Sequence, residues 1–292
     1  MLDSLANTDF PEELAAIWLI ENGTSTLNLD LSESILQSLP LKRVALLDAG
    51  VARSRQWLVD HLQTGVIVFL DDDVIVDKYL LASYSKITKE FGLGHFFGGA
   101  LRVRTSKTPP SWIEPYLPAS ARGWEPSTKE FNEISNPLFL GANFCAYSED
   151  IIRAGGFDFR FGPGSSVPGT ASNPTGHELV MQQRLTAVGC TPIYAPEAIV
   201  THNVAPECYT QIWVLHREYR NALTQGILHG DRQPGKPPRW MWRKLASLWI
   251  RAQGAKVSTN HALKLKRLSE FYNWKGFVNG IRLSARSNAP DE

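Results

Sequence analysis

Apolar positions along this chain recur at two spacings, and the spacing changes from segment to segment. Leu2, Leu5 and Leu14, with acids between them, read as the tail of an amphipathic helix. The apolar run 15–20 reads as a strand, closed by the turn chemistry Glu21-Asn22-Gly23-Thr24-Ser25. A second apolar stretch covers 44–47, and residues 51–62 carry apolar positions at helical spacing. Val66-Ile67-Val68-Phe69-Leu70, following Gly65, is the continuous β-branched run of a fully buried strand. Helical spacing returns over 77–91. Helix and strand therefore alternate up to Phe91, the pattern of an α/β domain on a parallel sheet.

Beyond that point the periodicity weakens. Residues 104–137 are rich in Pro, Trp, Ser and Thr and read as a long surface excursion, and the Gly- and Pro-rich stretch 155–176 reads as a second. Loops of that length inside a domain are often functional. A helix is expected over 178–188, a short strand over 192–200 leading to His202, and amphipathic helices over 209–226 and 239–251. Pro234, Pro237 and Pro238 make the joint, so residues 1–230 are expected to form one domain and 231–292 a helical tail. No internal repeat is visible.

A content of 43% hydrophobic and 20% charged residues in 292 excludes disorder and fibrous classes. The net charge of +1 hides an uneven distribution: 1–230 carries net −8 and 231–292 net +9. Trp240, Trp242, Trp249 and Trp274 interleave with Arg239, Arg243, Lys244 and Arg251 in that tail. This mixture reads either as a solvated helical face or as one making peripheral contact with an anionic membrane. No nucleic acid partner is expected, because no recognition motif accompanies the charge. Cys145, Cys190 and Cys208 are scattered and form no CxxC pair, and neither an export signal nor a 20-residue apolar run is present. The expectation is a cytoplasmic protein, peripheral at the inner face of the membrane.

Asp71-Asp72-Asp73 stands at the carboxyl end of the buried strand. Three adjacent carboxylates repel one another, and a divalent cation or a set of hydrogen-bond donors is the simplest reason to gather them; a solvated acidic loop is the other reading. In open α/β sheets ligands bind beyond the carboxyl ends of the strands, where this cluster falls. Alternate side chains place Asp71 and Asp73 on one side and Asp72 on the other.

Several spaced motifs extend this. Glu21-Asn22-Gly23-Thr24-Ser25 resembles the strand-end turn of family 2 glycosyltransferases with the GT-A fold, 50–55 resembles their Arg-bearing segment, and Phe69-Leu70-Asp71-Asp72-Asp73 resembles their D-x-D signature. Gly155-Gly156-Phe157-Asp158, Glu178 with Arg184-Leu185, and Tyr194-Ala195-Pro196 leading to His202 follow in the family's order, over roughly residues 1–226. The resemblance implies a Rossmann-like mixed sheet flanked by helices, with a C-terminal helical extension. It also implies inverting transfer from a nucleoside diphosphate sugar to a glycan or lipid-linked acceptor, assisted by Mn²⁺ or Mg²⁺. By the same resemblance Asp71, Asp73 and His202 hold the metal, and Glu21, Asn22, Arg55, Asp71 and Asp72 contact the donor. Asn143 and His177 lie on the acceptor side, and Glu178 is the general base, ionised at a helix N-terminus. Trp124, by its place in the long excursion, reads either as an acceptor-side ring that stacks on a sugar face or as the anchor of its own loop.

The sequence departs from the family in three places. His177 stands where the family has a first acid, Gln56 stands where it has Asn, and the family's first apolar strand is absent, so the domain is expected to be N-terminally incomplete. The competing readings are an inactive pseudo-glycosyltransferase that acts as a scaffold and a metal-dependent phosphohydrolase with an aspartyl nucleophile. The second lacks the Thr or Val it needs at Ile75.

Overall fold

The computed structural model of the chain describes residues 1–128, 130–134, 139–165 and 173–287. They fall into two units. The first comprises Met1–Arg104, Pro118–Ser165 and His177–Val204; the second comprises Thr105–Leu117, Ser166–Gly176 and Ala205–Glu292. Of the glycine-rich stretch 155–176, residues 166–172 lie outside the described residues, as do 129 and 135–137 of the excursion 104–137.

In the first unit β1 (Ile17–Asn22) and β2 (Leu41–Leu46) pair in parallel as a separate two-stranded sheet. The main sheet has the order β3 (Val66–Leu70), β7 (Asn143–Tyr147), β5 (His95–Arg104), β8 (Thr191–Asn203), β4 (Val74–Val76), with β6 (Asn132–Glu133) on β8. It is mixed, where the alternation of elements predicted a parallel sheet. β3 and β5 both run against β7, β5 and β8 run together, and β4 runs against β8. The reason for β4 is length: only residues 71–73 separate it from β3, and a parallel return needs a crossover of a dozen residues or more.

Strand alternation sends neighbouring side chains into two cores. Phe69, Phe96, Phe144 and Ala146 pack with α3 (Val51–Leu62), α6 (Ser148–Arg153) and α7 (His177–Ala187) through Ala52, Val59, Ile151, Met181 and Leu185. Phe97, Cys145, Ile193 and Val200 face the other way, onto Leu80, Tyr84 and Ile87 of α4 (Leu80–Phe91) and Ile35 of α2 (Glu33–Ser38). Burying each such Phe or Leu contributes about 1.5–3 kcal/mol. The expected opening helix is only α1 (Leu2–Leu5); Pro11 cannot continue it, and Leu14 packs on the core from a turn.

The second unit is built on α8 (Gln211–Arg232), α9 (Arg239–Lys256) and α10 (His261–Ser287). Residue 230, expected as a domain end, lies inside α8. Gly226 on α8 faces Gly280 on α10, Gly230 faces Ser284 and Gly276 faces the Tyr219 carbonyl, and a Cβ at Gly226, Gly276 or Gly280 would strike the other helix's backbone. Among the described residues no helix is long and apolar enough to cross a membrane.

Candidate functional site

β3, β5 and β8 share a direction, so the acids that follow β3 and the histidine that ends β8 reach the same edge of the sheet. Register brings them together. Val74 of β4 pairs with His202 of β8, and Asn203 donates from both its backbone N–H and its Nδ2 to the Asp73 carbonyl, each at 3.1 Å. The Asp73 carboxylate then lies 3.0 Å from His202 Nε2, while Nδ1 lies 2.7 Å from the Ser120 carbonyl on the short helix α5 (Ala119–Arg122). A carbonyl only accepts, so Nδ1 carries the proton, and in neutral His202 the Nε2 lone pair faces a carboxylate. That juxtaposition calls for a cation between them. A proton on His202 Nε2 would also satisfy it: the hydrogen bond to His202 holds Asp73 below the usual carboxylate range, and the bond to Asp73 raises His202.

The register of His202 depends on an irregularity. β5 and β8 pair Gly99 with Ala195 but Leu101 with Val200, so β8 bulges between them. Asn143, fully buried, spans the bulge: its Nδ2 donates to the Ala100 carbonyl at 3.0 Å and the Ala198 carbonyl at 2.7 Å, and its Oδ1 accepts from the Tyr84 hydroxyl at 2.6 Å. Gly99 has to lack a Cβ, which would strike the Ala198 carbonyl.

Arg55 is buried on α3. Its Nη2 donates to Asp71 at 2.8 Å and to the Gly141 carbonyl at 2.9 Å, and its guanidinium lies over the Phe69 ring at 5.3 Å. Nη1 is buried with no hydrogen-bond partner among the described residues. Asp72 is exposed. The Asn22 Oδ1 accepts from Gly50 N–H at 2.9 Å, which ties the end of β1 to the start of α3. Glu21 is committed elsewhere: it accepts from the backbone of Asn28 and Leu29 at 2.7 and 2.9 Å and pairs with Arg43 at 3.1 Å. It orders the loop after β1.

At the start of α7, His177 Nδ1 lies 3.0 Å from Glu178 Oε2, off the axis a hydrogen bond requires, and both ring nitrogens of the buried His177 are unpartnered among the described residues. Burial opposes the charge of Glu178, but the adjacent His177 ring, the helix backbone and Arg55 outweigh it and hold the carboxyl below the usual carboxylate range. Nearby, Asp158 accepts from Arg160 and Arg184 at 2.8 Å each, and Arg184 also donates to the Gly156 carbonyl at 2.8 Å. The Gly155–Asp158 and Arg184 motifs are thus in contact. Gln56, which departs from the family pattern, accepts from Phe157 N–H at 2.8 Å.

No protein-family model matches the sequence, and no curated protein does. Among solved structures, GalNAc-T7 with UDP, GalNAc and Mn²⁺ is similar at a TM-score of 0.51 and 14% identity, over 99% of this chain and 55% of that one. S. aureus TarS 1-349 in complex with UDP is similar at 0.47 and 12%, over 99% and 87%, and the longer S. aureus TarS at 0.47 and 12%, over 97% and 52%. The fold is GT-A. The chain spans about half the length of GalNAc-T7 and of the longer TarS.

Within this GT-A fold the sheet edge can be tested for a divalent ion. Among the described residues no group of three His, Cys, Asp or Glu side chains converges as a complete cage. Mg²⁺-type sites rarely have one: they take one or two protein ligands and fill the octahedron with water and substrate phosphates. Adjacent ligands about 2.1 Å from such an ion lie about 3.0 Å apart, the Asp73–His202 separation. The donor set fits. Asp71 is expected as a second ligand, but its Oδ1 is held by Arg55, which leaves Oδ2 for an ion or a donor.

One expectation is corrected and one is narrowed. Asn143 was assigned to the acceptor side, yet both its amide N–H groups are spent on the bulge, so it is a keystone of the sheet. Of the two readings of Trp124, the packing favours the loop anchor over the acceptor side: its ring packs edge-on against Phe139 and Tyr194 at 5.8 and 5.6 Å, and its backbone bridges Leu101. It anchors the loop that carries it.

Proposed function

We propose that this chain is a glycosyltransferase of the family 2 pattern that moves a sugar from a nucleoside diphosphate sugar to a glycan or lipid-linked acceptor hydroxyl, with inversion, in polysaccharide or glycoconjugate synthesis. The observation that carries the reading is the Asp73–His202 pair at the carboxyl edge of a GT-A sheet, with the Arg55–Asp71 pair beside it in sequence. The fold it shares with GalNAc-T7, solved with UDP, GalNAc and Mn²⁺, supports it. A Mn²⁺ or Mg²⁺ ion held by Asp73 and His202 would supply stabilisation of the charge that builds on a departing diphosphate. Arg55 fixes the Asp71 carboxylate toward the donor, Asp72 offers a second, exposed carboxylate, and Glu21 and Asn22 shape the loop and helix start that receive the nucleoside.

Glu178 takes the acceptor proton. The Glu178 carboxyl, held below the usual carboxylate range, is ionised at neutral pH and able to accept a proton, while its basicity is weak. The same weak basicity, with His177 in place of an acid, supports the scaffold as a second reading. We also read the domain as lacking a strand between β1 and β3, since among the described residues β1 pairs only with β2 and β3 only with β7.

Calorimetry with Mn²⁺ and a panel of nucleoside diphosphates, followed by transfer assays, tests this. Asp73→Asn is expected to abolish metal-dependent nucleotide binding. Glu178→Gln is expected to leave binding intact and lower transfer at least about 100-fold. Full transfer by Glu178→Gln refutes the base, and a wild-type chain that binds no nucleotide in the presence of metal is the scaffold.

A further inference from the structure

Helix α9 has two apolar faces, and only one of them is packed. Met241, Leu248, Ala252 and Ala255 are buried on one side, where Met241 packs on Val278 and Ile281 of α10. At 100° per residue, Trp242, Ala246, Trp249, Ile250 and Val257 form a stripe on roughly the opposite side, spaced i, i+4, i+7, i+8 and i+15. These large side chains are bare: Trp242 is 40% exposed, Trp249 51%, Ile250 64% and Val257 88%. Folding leaves this stripe in water at a cost that only an occupant would relieve.

The charge on the helix says which occupant. α9 carries five cations and no acid in 18 residues. Lys244 is folded over the Trp274 ring at 3.7 Å and Arg251 lies 3.9 Å from Glu270, while Arg239, Arg243 and Lys256 are exposed around the stripe. A second copy of this chain docked about a two-fold axis would set those like charges against each other. A layer of anionic headgroups over hydrocarbon instead satisfies both parts, with Trp rings at headgroup level and the cations on phosphate.

We propose that the outward face of α9 is a membrane-docking surface that lies in the plane of an anionic phospholipid bilayer, inserting Trp242, Trp249 and Ile250 and seating Arg239, Arg243 and Lys256 on the headgroups. The proposal is independent of the transferase reading, because its readout is vesicle binding.

The test is flotation of the full chain with vesicles of phosphatidylcholine alone and of about 3:1 phosphatidylcholine to phosphatidylglycerol. Wild type is expected to float with the anionic vesicles, less so as salt is raised, and weakly with phosphatidylcholine alone. The triple variant Trp242→Ser/Trp249→Ser/Ile250→Ser is expected to lose at least about tenfold in binding with an unchanged circular dichroism spectrum and urea midpoint, since these side chains are exposed. Arg239→Glu/Arg243→Glu is expected to remove the preference for anionic vesicles. Wild type that fails to float, a triple variant that floats equally, or a wild-type dimer in sedimentation velocity that the triple variant dissociates would each overturn the proposal, the last assigning the face to a second copy.

Discussion

Asn143 holds the distance between the sheet and the site, and Asn143→Leu isolates what it does. Leu fills nearly the same volume and removes only the polar atoms. Three groups lose the Asn143 partner in a fully buried place: the Ala100 and Ala198 carbonyls, bound at 3.0 and 2.7 Å, and the Tyr84 hydroxyl, bound at 2.6 Å, which keeps its bond with the Gly99 backbone. Each orphaned buried group costs about 1–3 kcal/mol, and taking the lower half of that range gives about 4 kcal/mol for the three. Added apolar burial returns about 1 kcal/mol, so a net loss of about 3 kcal/mol is expected. In urea unfolding followed by circular dichroism, a slope of about 2 kcal/mol per molar makes this a fall of roughly 1.5 M in midpoint. The same substitution frees the bulge that sets Val200 and His202 in register with β4, so metal-dependent nucleotide binding should weaken in the fraction that remains folded. A stability loss below about 1 kcal/mol, or an unchanged nucleotide affinity, would refute the role given to this residue.

Four further outcomes follow from the geometry. Gly280→Ala, whose Cβ would strike the Leu223 carbonyl, should destabilise the second unit by about 1–3 kcal/mol in thermal melts, whereas Gly254→Ala, with open space around it, should not. Asp158 has its carboxyl lowered, because Arg160 and Arg184 outweigh the effect of burial, so its contribution is complete above the ordinary carboxylate value and is lost as pH falls through the depressed one. Asp158→Asn should therefore cost about 1–2 kcal/mol near neutrality, with both arginines partly exposed, and the gap from wild type should close in acid unfolding series. Arg55→Met should raise the KM for donor and lower stability by about 1–2 kcal/mol, since it frees a half-exposed Asp71 and orphans the Gly141 carbonyl. Trp124→Phe should leave acceptor KM unchanged in transfer assays, because the ring is packed between Phe139 and Tyr194; a selective rise in acceptor KM would return it to the site.

The local part of this protein was written in its sequence. Val66–Leu70, the helix over 51–62 before it and the three acids after it were readable because a buried strand needs a continuous β-branched run, a surface helix needs a 3.6-residue period, and clustered carboxylates need a counter-charge. The tail's charge and its tryptophans were equally legible, since burial was not required to count them, whereas only the structure leaves Trp240, Trp242 and Trp249 exposed and packs Trp274 on Phe277 and the Met241 carbonyl. Tertiary structure decided the rest. β5 was not predicted, because its apolar residues include glycines placed for close approach, and within the expected helical tail the bounds of α10 were not, because its glycines pack against α8 and blur its period. Whether Arg55 is a surface residue or a buried partner of Asp71, and whether Asn143 meets a ligand or a bulge, depends on contacts 16 to 86 residues apart. Above all, Asp73 and His202 lie 129 positions apart, and only the register of β4 on β8 makes them neighbours.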